Sequence, residues 1–167
     1  MTLYRADNLA ADTTTTLGGG ASYATGIKVA LQLQVPDNQV IKLVEFGWSQ
    51  DVATSTLTLL KLQTTDTGST GTTALSTTLV KPLIDRDGRA SSLTMATTGS
   101  SYGNGALTSR TSLRDIHALY VPQVFAFQWP LGREPIVGSG TGENFLQVLV
   151  NTTATVNGIV WVVWDEP

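Results

Sequence analysis

Apolar and polar residues alternate over several segments of the chain, most clearly in IKVALQLQV. The apolar residues at every second position of this segment are Ile27, Val29, Leu31, Leu33 and Val35. A period of two residues is typical of a strand that buries one face. The pattern therefore predicts a strand here, with Leu31 in the core and Gln32 facing solvent.

Further apolar segments follow turn residues and predict more strands. VIKLVEFGWS and TLTLLKLQ carry apolar side chains on both faces, as is typical of strands inside a sandwich. ALSTTLVKPL, SSLTMATT and ALYVPQVFAFQW are further candidate strands, and FLQVLVN and ATVNGIVWVVWD are predicted to form a final antiparallel pair joined near 152–155. The best helical candidate, SRTSLRDIHAL at 109–119, is long enough for one or two turns only.

This pattern of short strands separated by turn signals predicts an all-β fold, a single antiparallel β-sandwich. Jelly-roll topology is favoured over an immunoglobulin-like one, since the chain has no cysteine and so no Cys-Trp-Cys spacing.

The beginning of the chain has a different composition. TTTTLGGGAS, at 13–22, has low complexity and little to bury, so it cannot offset its own ordering entropy. We therefore predict an extended, partly flexible N-terminal arm over residues 1–24 and a β-sandwich domain over residues 25–167. The arm is either a disordered terminus or a segment that a neighbouring subunit orders.

Length and charge exclude several classes of protein. The 167 residues fit one domain with a sizeable core, and the absence of cysteine excludes disulfides, thiolate metal sites and a cysteine nucleophile. The net charge is -3, and the ten lysines and arginines are scattered, which argues against a nucleic-acid partner. No apolar run approaches the ~20 residues that span a bilayer, and the start lacks a signal-peptide pattern, so we expect no membrane association.

No group of residues has the pattern of a catalytic or metal site. His117 is the one histidine, no GxSxG motif accompanies it, and GSGTG lacks the ending of a phosphate-binding loop. A glycosidase pair would have to come from ordinary acidic residues, Glu45, Asp51, Glu134 and Glu143. The sequence therefore predicts neither an enzyme nor a bound metal or cofactor.

The most charged segment is KPLIDRDGRASS. Asp85, Asp87 and Gly88 follow the outline of a calcium loop, but Arg89 takes the third acidic position and no bidentate glutamate follows. We interpret the segment as a turn, in which Arg86 and Arg89 are solvated or pair with a neighbouring chain.

The long segment from VIKLVEFGWS to KPLIDRDGRASS, together with NTTATVNGIVWVVWDEP, resembles small virion proteins of tailed bacteriophages that decorate or cement the capsid. The similarity lies in the order of parts: a strand with an embedded acid, here Glu45, a strand ending in a Thr/Gly-rich loop, the charged linker, and a last strand ending in Trp164, Asp165 and Glu166. Where such proteins typically carry a proline-bearing linker, this chain has DRDGR. The resemblance implies a β-sandwich that binds a capsid shell by surface complementarity and has no catalytic residues.

We therefore expect a structural virion protein on the capsid surface, made in the host cytoplasm. Its expected partners are the major capsid protein or another virion protein, and further copies of itself in a dimer or trimer. Trp161 and Trp164 fall on opposite faces of one strand, so at most one of them lies in the main core. The candidate interface residues are Leu17, Tyr23, Arg86, Arg89 and Trp164.

The alternative function is a carbohydrate-binding or receptor-binding module of a phage tail or head fibre. Jelly rolls also form lectins, and tryptophan side chains stack on sugar rings. Binding to sugars without binding to a shell would favour this alternative.

Overall fold

The computed structural model is an all-β molecule in which two antiparallel sheets pack against each other around one core. It describes residues 2–8, 20–50, 57–66, 68–69, 73–75, 80–83, 90–97, 111–119, 124–138 and 143–167. The predicted antiparallel β-sandwich is confirmed, whereas the jelly-roll topology is not.

The described strands divide between a seven-stranded sheet, sheet A, and a six-stranded sheet, sheet B. Sheet A contains β1 (Thr2–Asp7), β2 (Ala21–Tyr23), β4 (Val40–Gln50), β7 (Lys81–Pro82), β10 (Phe125–Gln128), β11 (Ile136–Gly138) and β13 (Val156–Glu166). Sheet B contains β3 (Gly26–Gln34), β5 (Thr58–Thr65), β6 (Thr73–Leu75), β8 (Thr94–Thr97), β9 (Thr111–Leu119) and β12 (Phe145–Thr152). The order in sheet A is β10-β4-β13-β1-β7, with β11 also on β4 and β2 on β13, and the order in sheet B is β6-β8-β3-β12-β5-β9.

Aromatic side chains are the largest members of the core between the sheets. Tyr4 stacks on Trp164 with ring centroids 5.7 Å apart, and Tyr23 contacts Trp48 at 5.8 Å. A Cβ atom on Gly158 would lie 2.0 Å from the Trp48 ring, so this position in β13 must be glycine for the indole to pack on the backbone. These rings bury large apolar areas, which is the main favourable term in folding.

A β-bulge in β4 explains why this strand has apolar residues at both odd-numbered and even-numbered positions. The register with β13 shifts by one between Val163 and Trp164, which leaves Val44 without a register partner in β13. Ile41 and Leu43 enter the core before the bulge, and even-numbered residues enter it afterwards. The sequence predicted that this strand buries apolar residues on both faces. Instead, the alternation of core residues shifts by one position at the bulge.

A second bulge lies in β3, the strand predicted from IKVALQLQV. The register with β12 shifts between Val148 and Leu149, and Ala30 has no partner there. As a result Ala30 and Leu31 both belong to the core cluster. The predicted strand and the burial of Leu31 are confirmed, but strict alternation ends at the bulge.

Gln32 is buried, in contrast to the prediction that it faces solvent. It is 7% exposed and lies beside Gln147, which in turn lies beside Gln63 on the next strand of sheet B. Gln63 Nε2 donates to Gln147 Oε1 (2.9 Å), and Gln147 Nε2 donates to Gln32 Oε1 (2.8 Å) and to Ser69 Oγ (2.9 Å). The Ser69 backbone N–H also donates to Gln32 Oε1 (2.8 Å). These hydrogen bonds offset much of the cost of burying the amides, although Gln63 Oε1 has no partner. Sequence alternation alone does not reveal such a network.

The predicted N-terminal arm is not confirmed. The strand Thr2–Asp7 pairs with β13 on one side and with β7 on the other, and Ala21–Tyr23 also pairs with β13. TLYRAD alternates, and Tyr4 and Ala6 are buried. The two ends of the expected arm therefore belong to the sandwich. The residues between them, 9–19, lie outside the described part of the chain.

The structure also differs from the predicted final strand pair and from the helical candidate. The segments expected to form a final antiparallel pair are β12 and β13, which lie in different sheets, so the turn between them crosses from sheet B to sheet A. The best helical candidate contains β9, which pairs with β5 at every position except Arg114, because the neighbouring strand supplies hydrogen bonds that local propensity ignores. No helix in the described ranges is long and apolar enough to cross a membrane.

The end of β13 is tied to the segment before β8 through the carboxylate of Glu166, which is buried. Gln39 Nε2 and the Ser92 backbone N–H donate to Oε1 (2.8 and 2.9 Å), and Ser91 Oγ donates to Oε2 (2.8 Å). The Ser92 hydroxyl donates to Oε1 as well. Burial raises the pKa of Glu166, but the hydrogen bonds from Ser92, Ser91 and Gln39 together outweigh it, so the pKa lies below its ordinary value.

The glutamine network generates a first prediction. Gln32→Ala removes one of the two acceptors of the Gln147 amide and the acceptor of the Ser69 N–H, so we expect it to reduce the free energy of unfolding by about 1–3 kcal/mol. Gln34→Ala is the matched control, because Gln34 is exposed at the end of the same strand, and we expect a change within about 0.5 kcal/mol. Urea unfolding measures both values, and equal midpoints would show that the network contributes nothing.

A second prediction concerns pH. Because the folded-state pKa of Glu166 is depressed, its carboxylate contributes stability that is present above the ordinary pKa of 4.5 and is lost as the pH falls through the folded-state value. We expect wild type to melt above Glu166→Gln at neutral pH, and this difference to shrink on acidification. Glu134→Gln, which changes a surface carboxylate, is the control. A difference in melting temperature that does not depend on pH would contradict the linkage.

Candidate interaction surface on sheet A

The outer face of sheet A is the side turned away from sheet B. In β13 the even-numbered residues from Val160 to Trp164 enter the core, so Trp161, Val163 and Asp165 lie on the outer face. In β1 Tyr4 and Ala6 enter the core, which places Arg5 and Asp7 on the outer face as well. Arg5 is paired with Val163, and Asp7 with Trp161, so side chains from both strands meet there.

Trp161 is the centre of this outer face. Its indole lies against Gly47 of β4, where a Cβ atom would be 2.1 Å from Trp161 Cζ2. Trp161 Nε1 donates to Glu45 Oε1 (2.7 Å), and the Arg5 guanidinium lies 5.4 Å from the ring centroid. Arg5 Nε lies 3.7 Å from Asp7 Oδ2. Trp161 is therefore only 8% exposed, although it is outside the core, because neighbouring side chains enclose it.

The charges of this cluster are partly shielded and partly accessible. The side chain of Arg5 is 43% exposed, so the contribution of its ion pair with Asp7 to stability is small. A cation over an indole adds about 0.5–1 kcal/mol at an exposed site. Together these contacts orient Arg5 while leaving 43% of its side chain exposed.

Exposed apolar residues surround sheet A. In the described ranges, five of the seven large apolar residues that are exposed lie in sheet A strands or in the segments that adjoin them: Val40, Leu83, Val124, Leu131 and Ile136. Tryptophan and arginine are the residue types most enriched where proteins bind one another, and apolar residues complete such contacts. The outer face of sheet A and its margins are therefore the candidate interaction surface.

Two predicted interface residues lie in the core instead. Trp164 is fully buried on Tyr4, and Tyr23 is fully buried with its hydroxyl accepting a hydrogen bond from Asn8 Nδ2. Burial raises the pKa of Tyr23 more than the bond from Asn8 lowers it, so the hydroxyl stays neutral. Neither side chain is available to a partner on the surface of this chain. The two tryptophans of β13 do lie on opposite faces, but the outward one is Trp161.

The other predicted interface residues, Leu17, Arg86 and Arg89, lie outside the described residues, as do Asp85 and Asp87 of the charged turn. His117 is in β9, opposite Leu60 of β5. Within the described part of the chain, no three His, Cys, Asp or Glu residues form a group that could hold a metal ion.

Arg5, Asp7 and Gly47 were not among the residues predicted from the sequence. The alternation of TLYRAD was a usable signal, because it places Arg5 and Asp7 on the polar face of a short strand. Gly47 had no such signal, since its role depends on an indole from another strand.

No protein-family model matches the chain, and no curated protein matches it significantly. The candidate surface is therefore identified from the arrangement of its residues in the structure alone.

Proposed function

We propose that this chain is a structural virion protein, a capsid decoration or cement protein that binds the shell through the outer face of sheet A and stabilises it. The observation that carries the proposal is the cluster of Trp161, Arg5, Glu45 and Asp7, bordered by exposed apolar residues. The resemblance of the sequence to capsid decoration proteins supports the same function.

The strand lengths limit the size of this face. β4 and β13 have 11 residues each, which at ~3.3 Å per residue is roughly 36 Å of strand. The order β10-β4-β13-β1-β7 spans roughly 19 Å at ~4.8 Å between strands. The rectangle that encloses the face is thus on the order of 700 Å². This is an upper bound on the area, because β10, β1 and β7 have only 4, 6 and 2 residues, so the face is smaller than the ~800 Å² that each partner buries in a stable complex.

The proposal includes self-association, as a dimer or trimer on the virion surface. Leu131 and Val124 are highly exposed beside β10, and closed symmetry between copies would cover such residues. The partner on the shell is the major capsid protein or another virion protein. Light scattering coupled to size-exclusion chromatography measures the number of copies.

Charge reversal on one face at a time tests the shell contact. Arg5→Glu removes the cation from the Trp161 cluster, so we expect at least about tenfold weaker binding to shells, as for a contact at the centre of an interface. Lys61→Glu is the matched control, because Lys61 lies between the core residues Leu60 and Leu62 and points to the outer face of sheet B. Co-sedimentation of the purified chain with empty tailed-phage shells measures both affinities.

Three results would contradict this prediction. Wild-type protein that sediments with none of the shells would count against the decoration function itself. Equal losses in Arg5→Glu and Lys61→Glu would show that sheet A is not the contact. If the melting temperature fell in Arg5→Glu alone, the weaker binding of this variant would result from destabilisation of the fold and not from loss of the contact.

The carbohydrate-binding alternative rests on one observation, that Trp161 lies flat on the sheet next to the carboxylate of Glu45. Sugars stack on such rings and donate hydrogen bonds to nearby carboxylates. Arg5, however, covers the ring.

Arg5→Ala therefore separates the two functions, since it uncovers the ring and removes the cation. For a decoration protein we expect weaker shell binding and no sugar binding in either wild type or variant on a glycan array. Glycan binding that persists or strengthens in Arg5→Ala would favour the carbohydrate module.

A further inference from the structure

The glutamine network of sheet B has a direction, which its hydrogen bonds fix. Gln63 Nε2 donates to Gln147 Oε1, and Gln147 Nε2 donates to Gln32 Oε1. The Ser69 backbone N–H donates to the same oxygen of Gln32. Because both partners of this oxygen are donors, the oxygen and the nitrogen of the Gln32 amide cannot change places. The network therefore runs from each NH2 group to the carbonyl oxygen of the next glutamine, and Gln32 is its last member.

The NH2 group of Gln32 is the free end of this network. It donates to no acceptor among the described residues, and unlike Gln63 Oε1 it is not closed off from solvent. The next residue in the row is Ala96, the register partner of Gln32 in β8, and Ala96 is paired with Ala74 of β6. A methyl group accepts no hydrogen bond, so the row stops where a fourth amide would have continued it.

A pocket of about 190 Å³ opens at this end of the row. It is lined by Gln32, Gln34, Ala74, Thr94, Met95 and Ala96. Leu33 belongs to the core, which places its neighbours Gln32 and Gln34 on the outer face of sheet B. The volume exceeds the ~150 Å³ of a cavity that holds benzene, so a side-chain amide fits inside. We call this site the Ala96 pocket.

We propose that the Ala96 pocket binds a primary carboxamide, the side chain of an asparagine or glutamine of a peptide or protein ligand. The carbonyl oxygen of the ligand accepts from the Gln32 NH2 group and so takes the place of the fourth amide. Its own NH2 group donates to the exposed side chains of Gln34 and Thr94. Amides in a hydrogen-bonded row polarise one another, which strengthens the last donor.

The lining of the pocket favours a carboxamide over a charged ligand. All of its side chains are uncharged, so a carboxylate would lose hydration without gaining a cation. An ammonium or guanidinium group has no acceptor for Gln32. A primary carboxamide supplies one acceptor and two donors, as each glutamine of the row does. The inference does not depend on the proposed function, because the pocket lies on sheet B and the proposed shell contact lies on sheet A.

The binding test is an amide-detected NMR titration of the full chain with propionamide. We expect concentration-dependent shifts at Gln32, Thr94 and Ala96. Butanone is the matched control, because it keeps the carbonyl group and the shape but has a methyl group in place of the NH2 group. We expect butanone to bind at least about threefold more weakly, the size of one neutral hydrogen bond.

Two substitutions at Ala96 test the free donor of Gln32 without a ligand. Ala96→Gln introduces a fourth amide beside Gln32, and Ala96→Met fills the same space with an unbranched side chain that lacks the amide. We expect both variants to lose propionamide binding. We also expect Ala96→Gln to melt at a higher temperature than Ala96→Met, because only the glutamine accepts from Gln32.

Four outcomes overturn the proposal. Wild-type protein that shows no shifts at the highest soluble concentration of propionamide would reject the pocket as a binding site. Equal affinities for propionamide and butanone would show that the pocket does not select a carboxamide. Equal melting temperatures of the two Ala96 variants would show that the Gln32 NH2 group does not lack an acceptor. Tighter binding of N-acetylglucosamine than of N-acetyl-glutamine amide would assign the pocket to an acetamido sugar and reject a side-chain ligand.

Discussion

The interior position of the final strand, β13, is the constraint on which the rest of the molecule depends. It is paired with β4 along one edge and with β1 and β2 along the other, so its backbone groups are satisfied on both sides. Its even-numbered residues enter the core, and its odd-numbered residues form the outer face. The Trp161 cluster and the buried carboxylate of Glu166 both arise from this one strand.

In the pair formed by β13 and β4, a glycine of each strand packs against a tryptophan of the other. Gly158 of β13 leaves room for Trp48 of β4 on the core side, and Gly47 of β4 leaves room for Trp161 of β13 on the outer side. Each indole lies on the backbone of the neighbouring strand, where a Cβ atom would collide with it. The same packing that stabilises the sheet therefore also holds Trp161 and the atoms around it on the surface.

The outer face of sheet A differs from the core in how its polar groups are satisfied. Glu45 accepts from the Trp161 indole, and Arg5 lies between that ring and Asp7. Asp165, on the same strand, has no such partner for Oδ1. The outer face thus carries one cluster of satisfied polar groups, the Trp161 cluster, and one carboxylate oxygen that is buried without a partner.

The sequence by itself determined the β class, the two-sheet sandwich, the strand in IKVALQLQV and the opposite faces of Trp161 and Trp164, because a period of two residues depends only on the local chain. It did not determine which of those tryptophans is inside, since parity does not say which face is buried. The bulges at Ala30 and Val44, the burial of Gln32 and the incorporation of Thr2–Asp7 into sheet A were decided by the tertiary structure. Each depends on hydrogen bonds and packing with strands distant in sequence, and such partners leave no signal in a local pattern of apolar and polar residues.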